Sequence, residues 1–292
     1  MTCQPFRPIL SDKLIKEYIM SNTRLPVMTV SGKNPSRPET DEEISQRIMD
    51  RFDVLGLLAE ACTLGTSRSL IVSGPAGLGK SYTVEEKLSE WDPSGFNHLI
   101  VKGYVRATGL LKLLYNYRKD NQVLVFDDAD TIFFDDTSLN ILKAVCDTTE
   151  QRRVSWLSEG TLIDEETGEE IPKTFDFNGT IIFITNLDFD AMIDKRHKLT
   201  PHLQALVSRS HYIDLALKTR RDYLIRIKQV VKAGMLSRIL SNTNQETEVM
   251  DFIEEHQASL RELSLRMAIK IANLRKSSDQ DWQRIARVTC CK

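Results

Sequence analysis

At 292 residues, with 41% apolar and 27% charged side chains and a net charge of −2, the chain has the balance of a soluble globular protein. That length suits one large domain, or a core with a smaller companion. No apolar run approaches the roughly 20 residues that cross a bilayer, so no membrane-spanning helix is expected, and the opening residues lack the basic start and apolar stretch of a secretory signal.

The first 39 residues hold Pro5, Pro8, Pro26, Pro35 and Pro38, five of the nine prolines, and predict an irregular extension ending in a linker. Thr40 with Glu43 has the form of a capping box, and Ile44, Ile48, Phe52, Leu55 and Leu58 continue at helical spacing, so a helix is expected over about 41–64. Apolar strands then alternate with helices. Strands are expected at Ser69–Ser73, His98–Lys102, Gln122–Asp127, Thr180–Asn186 and His211–Leu215. The helices between them are expected at about 80–90, 108–119, 137–150 and 201–207. Short, continuously apolar strands alternating with helices predict a five-stranded parallel sheet covered on both faces. From Thr219 the pattern is helical alone, at about 219–240, 245–257, 262–275 and 279–288. The expected organisation is an extension over 1–39, an α/β core over 40–217 with an inserted hairpin at about 152–178, and a small all-helical lid over 218–292. Arg196–Lys292 carries 18 basic against 10 acidic side chains, so a basic end follows an acidic body and permits nucleic-acid contact. The five cysteines, Cys3, Cys62, Cys146, Cys290 and Cys291, are odd in number and lack metal-ligand spacing, so free thiols in a reducing cytoplasm are expected.

The chemistry concentrates after the first strand. Gly74-Pro75-Ala76-Gly77-Leu78-Gly79-Lys80-Ser81 fits G-x-x-x-x-G-K-[ST] between a strand and a helix, and predicts an ATP-binding P-loop with Tyr82 beside it. Its glycines let backbone N–H groups turn toward phosphates at a helix N-terminus. Lys80 is expected on the β- and γ-phosphates and the Ser81 hydroxyl on Mg²⁺. The strand Val123–Phe126 delivers Asp127 to hold Mg²⁺ and Asp128 to polarise the attacking water.

These residues resemble the AAA+ ATPases over about residues 40–290. Asp127-Asp128-Ala129-Asp130 is similar to the family's Walker B run, with aspartate at the glutamate position. Thr185-Asn186 resembles sensor 1, Leu206–Arg209 the arginine-finger segment, and Leu263–Arg266 sensor 2. The resemblance implies that Asn186 orients the lytic water and that Arg266 contacts nucleotide in cis. It implies that Arg209, with Arg196 as the neighbouring alternative, reaches a second subunit's γ-phosphate. A homo-oligomeric ring or spiral, most often a hexamer, follows. The whole-chain pattern also resembles stand-alone AAA+ ATPases of tailed phages, which implies work in the bacterial cytoplasm. Aspartate is one methylene shorter than glutamate, and a shift of about 1 Å can cost on the order of 10²-fold in rate, so slow turnover is also in view.

Three features bear on what the ATP drives. Arg152–Leu157 and Glu170–Phe177 flank the acidic turn Asp164–Glu170 and predict a β-hairpin. Gly103-Tyr104-Val105-Arg106 stands where the family places its substrate-gripping loop, with arginine at the glycine position. Lys218, Arg220, Arg221, Arg226, Lys228, Lys232 and Arg238 give the first lid helix a basic face opposite an apolar one. DNA-directed work in replication, recombination or repair is the leading expectation. Remodelling of a protein partner and an ATP-dependent assembly switch are the alternatives.

Overall fold

The architecture follows from a strict division of apolar side chains between two sheet faces and a separate helical core. A computed structural model of the protein describes residues 38–164, 167–195 and 198–292. Thr40–Lys292 forms one compact unit. The proline-rich segment before Pro38, with Cys3, lies outside the described residues, as do Glu165 and Glu166 of the acidic turn and the alternative arginine Arg196.

Helix α1 spans Asp41–Thr63. The Thr40 hydroxyl accepts from the Glu43 N–H at 3.2 Å and the Glu43 carboxylate accepts from the Thr40 N–H at 2.8 Å, closing the expected capping box. There follow β1 (Ser69–Ser73), α2 (Lys80–Trp91), β2 (His98–Lys102), α3 (Ala107–Asn116), β3 (Val123–Asp127) and, after a 3-10 turn at Asp130–Phe133, α4 (Asp136–Val145). Strands β4 (Arg153–Ser155) to β7 (Thr174–Asp176) form the inserted hairpin: β4 pairs with β7, and β5 (Leu162–Ile163) with β6 (Glu170–Ile171), both antiparallel. The core continues with β8 (Thr180–Thr185), α5 (Phe189–Asp194), α6 (Thr200–Val207) and β9 (His211–Asp214). Helices α7 (Arg220–Lys232), α8 (Thr243–Glu255), α9 (Leu265–Ser277) and α10 (Trp282–Cys290) complete the chain.

The sheet is five-stranded and all-parallel, in the order β2-β3-β8-β1-β9. Alternate residues serve opposite faces, as pleat geometry requires. Ile71, Leu124, Phe126, Ile181 and Phe183 enter the core under α3, α4 and α6. Leu70, Val72, Val123, Val125, Ile182 and Ile184 enter the core under α1 and α2. The C-terminal helices have their own core, including Ile227, Val249, Phe252, Ala268, Ile271 and Trp282.

Helix ends depart from the periodicity estimate where a local stop intervenes. The first lid helix ends at Lys232 instead of near 240. Gly234, at φ 93°, donates to the Val231 carbonyl and Met235 to the Val230 carbonyl, a Schellman stop that needs the left-handed backbone. Helix α9 begins at Leu265, not 262, because the Ser264 hydroxyl caps it by accepting from the Met267 N–H at 3.1 Å. Helix α4 ends at Val145, short of the expected 150. Cys62, Cys146, Cys290 and Cys291 are buried free thiols. Among the described residues no helix is long and apolar enough to cross a membrane.

Candidate nucleotide site

Strand order places the site. β8 lies between β1 and β3, with Ser73 level with Thr185 and Asp127 level with Ile184. The loop leaving β1, the Thr185–Asn186 corner and the Asp127–Asp128 pair therefore emerge together at the C-terminal edge, where ligands of open α/β sheets bind.

Lys80 opens α2 and is 6% exposed. Its ammonium donates to the Gly74 carbonyl at 2.6 Å, the Pro75 carbonyl at 2.9 Å and Asn186 Oδ1 at 3.0 Å. Burial lowers its pKa, against the attraction of Asp128 and Asp127. Asn186 Nδ2 donates to Asp128 Oδ1 at 2.6 Å. These two bonds fix the amide orientation and link the loop lysine to the second aspartate. Ser81 Oγ donates to Asp127 Oδ1 at 2.9 Å, and Asp127 is 4% exposed. Leu78 is buried in the core beneath α1 and α2, while Tyr82 is exposed on α2 and bonded to Glu86 at 3.2 Å.

Gly77 needs the absence of a side chain twice over. Its φ is 75°, and a Cβ there would stand 2.8 Å from the Ser264 Cβ. The Leu265 N–H donates to the Gly77 carbonyl at 2.8 Å, so the start of α9 rests on the loop itself. Arg266 follows, with its Cγ 3.7 Å from that Cβ position and its charge opposing that of Lys80.

Arg209 lies elsewhere. It precedes β9, its main-chain carbonyl accepts from Ser69 Oγ at 3.2 Å, and its guanidinium meets the Ala205 carbonyl at 2.9 Å and Asp147 at 3.7 Å. It lines a cleft of about 370 Å³ with Arg68, Ser69, Asp147 and Ser210 at the opposite edge of the sheet. One strand length, about 13 Å at 3.3 Å per residue, separates it from the loop of its own chain.

Sequence reasoning missed four participants. Lys102, the last residue of β2, is level with Asp127 and pairs with it at 3.2 Å and with Glu85 at 2.9 Å. Strand register, legible only once β2 and β3 are known neighbours, would have found it. Asp130, which the sequence offers only as the last residue of the Walker B run, accepts from Thr185 Oγ1 at 2.6 Å, and burial raises its pKa. Ser264 and Arg226 reach the loop from the helical region; Ser264 stands within the segment that resembles sensor 2, which singles out Arg266 alone, and no motif marks Arg226.

The basic face expected on the first lid helix is largely engaged within the fold. Arg220 donates to the Gln257 carbonyl at 2.7 Å, Arg221 pairs with Asp41 at 2.6 Å and Lys228 with Glu254 at 2.9 Å. Arg226 is half-buried and turned to the loop.

Fold and loop together define a P-loop NTPase: a parallel sheet, a phosphate loop between β1 and α2, carboxylates at the end of β3 one strand removed from β1, and a helical C-terminal region. No protein-family model matches the chain. The chain is 36% identical, over 250 residues, to an uncharacterised 36.7 kDa protein of the nrdC–mobD intergenic region of Enterobacteria phage T4; the match covers 85% of this chain and 76% of that protein. The chain belongs to the family of that phage T4 protein. Among solved structures it is similar to a RuvB mutant of Thermotoga maritima, at 12% identity and TM-score 0.49, covering 87% of this chain and 73% of that one. It is also similar to NtrX of Brucella abortus in complex with ATP, at 14% identity and TM-score 0.45, covering 92% of this chain and 57% of that one.

Proposed function

We propose that the protein is an AAA+ ATPase that binds ATP with Mg²⁺ at Gly74–Ser81 and hydrolyses it between subunits of a homo-oligomeric ring or spiral, a hexamer by preference. The observation that carries this reading is the continuous Lys80–Asn186–Asp128 connection beside the Ser81–Asp127 pair. The positive-φ glycines open a cradle for phosphates that any Cβ would narrow. Mg²⁺ would be shared between Ser81, Asp127 and the nucleotide, a hard-oxygen set that suits it, with the Ser81 hydroxyl and the Asp127 carboxylate already 2.9 Å apart. Bound there, the ion supplies neutralising charge to the phosphates.

The protein's own groups divide the remaining work. Lys80 steadies the phosphates, and Asp128, oriented by Asn186, polarises the attacking water by accepting a hydrogen bond from its O–H. Arg266 contacts nucleotide from the same chain. Arg209, a strand length from its own loop, serves the neighbour's γ-phosphate and offsets charge developing there.

The work is directed at DNA in this reading, in the cytoplasm of a phage-infected bacterium. Its support is the loop after β2, where Tyr104 is 68% exposed and the Arg106 guanidinium lies 5.7 Å over its ring, a stacking and phosphate-pairing combination. A second reading, ATP as an assembly switch with slow hydrolysis, is favoured by Asp128. Its side chain is short, one of its oxygens is taken by Asn186, and its backbone is left-handed at φ 54°.

One experiment separates these: ATP turnover alone, with single-stranded DNA, with duplex DNA and with an unfolded protein, beside Lys80→Ala. Stimulation by DNA that weakens with salt supports the first reading. Stimulation by the unfolded protein alone overturns the DNA assignment, and nucleotide-driven assembly without stimulated turnover selects the switch.

A further inference from the structure

Arg226 sits in the first lid helix among basic residues that mostly face outward, yet its guanidinium turns inward. Nε donates to the Leu78 carbonyl at 3.3 Å and Nη1 to Gln229 Oε1 at 3.4 Å. The guanidinium carbon lies 3.4 Å from the centroid of the Phe52 ring on α1, close cation–π contact. Nη2 stands 3.5 Å from where a Cβ on Gly79 would lie. Gln229 completes the junction by donating to the Ser45 carbonyl at 2.7 Å and hydroxyl at 2.8 Å. One side chain thus joins α1, α7 and the rear of the phosphate loop.

Its charge is the informative feature. Among the described residues no carboxylate forms an ion pair with Arg226; Asp53 contributes only from a distance. Burial lowers its pKa to about 10, which still leaves it cationic at neutral pH. A partly buried cation with only carbonyls, an amide and a ring face around it carries a desolvation cost that a nearby anion would offset. The loop that Arg226 touches is the one whose opposite side receives phosphates.

We infer that Arg226 is a positioning residue of the nucleotide site: its positive charge, held behind Leu78–Gly79, strengthens polyphosphate binding and couples loop occupancy to the seating of the lid. The inference rests on the ATP-site reading above. Coupling is reciprocal, so nucleotide should stabilise the junction by as much as the junction favours nucleotide. Arginine suits the place because its weakly hydrated, planar fork can lie on an aromatic face while donating to a carbonyl.

The test uses the full chain and four variants: Arg226→Met, Arg226→Gln, Arg226→Lys and Lys80→Ala. Affinity for fluorescent ATP and ADP analogues is measured alongside the melting temperature with and without nucleotide. Met keeps the stem over Phe52 without charge, and Gln keeps a donor without charge, so either can carry the neutral arm should the other not fold. The expected result is about tenfold weaker ATP binding in the neutral variants, a smaller loss for ADP, and a reduced nucleotide-induced rise in melting temperature. Arg226→Lys should stay within about threefold of wild type. Wild-type affinity in a folded neutral variant overturns the inference, as does a Lys variant as weak as the neutral ones. Equal binding by wild type and Lys80→Ala, or none by wild type, instead overturns the ATP-site reading and takes this inference with it.

Discussion

Ser264 stands so close behind Gly77 that a methyl group on the glycine would come within 2.8 Å of the serine Cβ. The phosphate loop is therefore packed from the rear by the first turn of a lid helix, and the Leu265 N–H bonded to the Gly77 carbonyl ties the two together.

Gly77→Ala should lower unfolding free energy by about 1–3 kcal/mol, because it meets both a positive φ and the serine. Nucleotide binding should be lost with it. Adding Ser264→Gly should return the steric share and leave the backbone share, as read by denaturant unfolding of the single and double variants. Full recovery in the double variant would show that backbone strain at Gly77 is negligible.

Asp128→Glu should raise ATP turnover, on the order of 10²-fold if reach limits the reaction. Asp128→Asn should bind ATP normally and turn it over more slowly than wild type. Single-turnover hydrolysis separates chemistry from product release. A glutamate variant no faster than wild type would show that the short side chain is not the limit.

Arg209→Ala should reduce turnover by about 10³-fold while leaving ATP affinity unchanged, since Arg209 lies at the far edge of the sheet from its own loop. Mixing it with Asp128→Asn subunits should restore part of the activity, because some interfaces then combine an intact Asp128 with an intact Arg209. No recovery in verified mixed assemblies would place the arginine outside the reaction.

Asp130 gives a pH signature. Burial holds its pKa above the ordinary 3.8, so the folded state binds this proton more readily than the unfolded chain does. Its contribution is unfavourable at neutral pH and is relieved as pH falls through the raised value toward 3.8. Wild type should therefore gain stability relative to Asp130→Asn over that acid window. Melting curves of both proteins across it provide the check, and parallel curves would remove Asp130 as the cause.

Much of this molecule is local and was readable as such. The Thr40 capping box, the apolar strands and the glycine–lysine–serine loop each depend on backbone hydrogen bonds and conformational preferences spanning a few residues. The expected parallel sheet also follows from alternation along the chain, because a strand buried on both faces must be apolar throughout. Helix ends were less legible: Gly234 and Ser264 stop and start helices through single hydrogen-bonded turns that apolar spacing does not register.

By itself the sequence determined which segments form strands and helices and where a phosphate loop lies, since those outcomes are encoded over short stretches. Only the tertiary structure decided that Lys102 faces Asp127, that Asp130 bonds Thr185, that Arg209 lies across the sheet from Lys80, and that Arg226 turns from a basic helix face into the loop. Each of these depends on which strands become neighbours or on how the lid packs against α1. Such pairings bring together distant groups, 148 positions apart for Arg226 and Leu78, and are selected by the shape and burial of whole elements. A basic residue in a helix looks alike from its sequence whether it meets water or a carbonyl. Packing distinguishes the two.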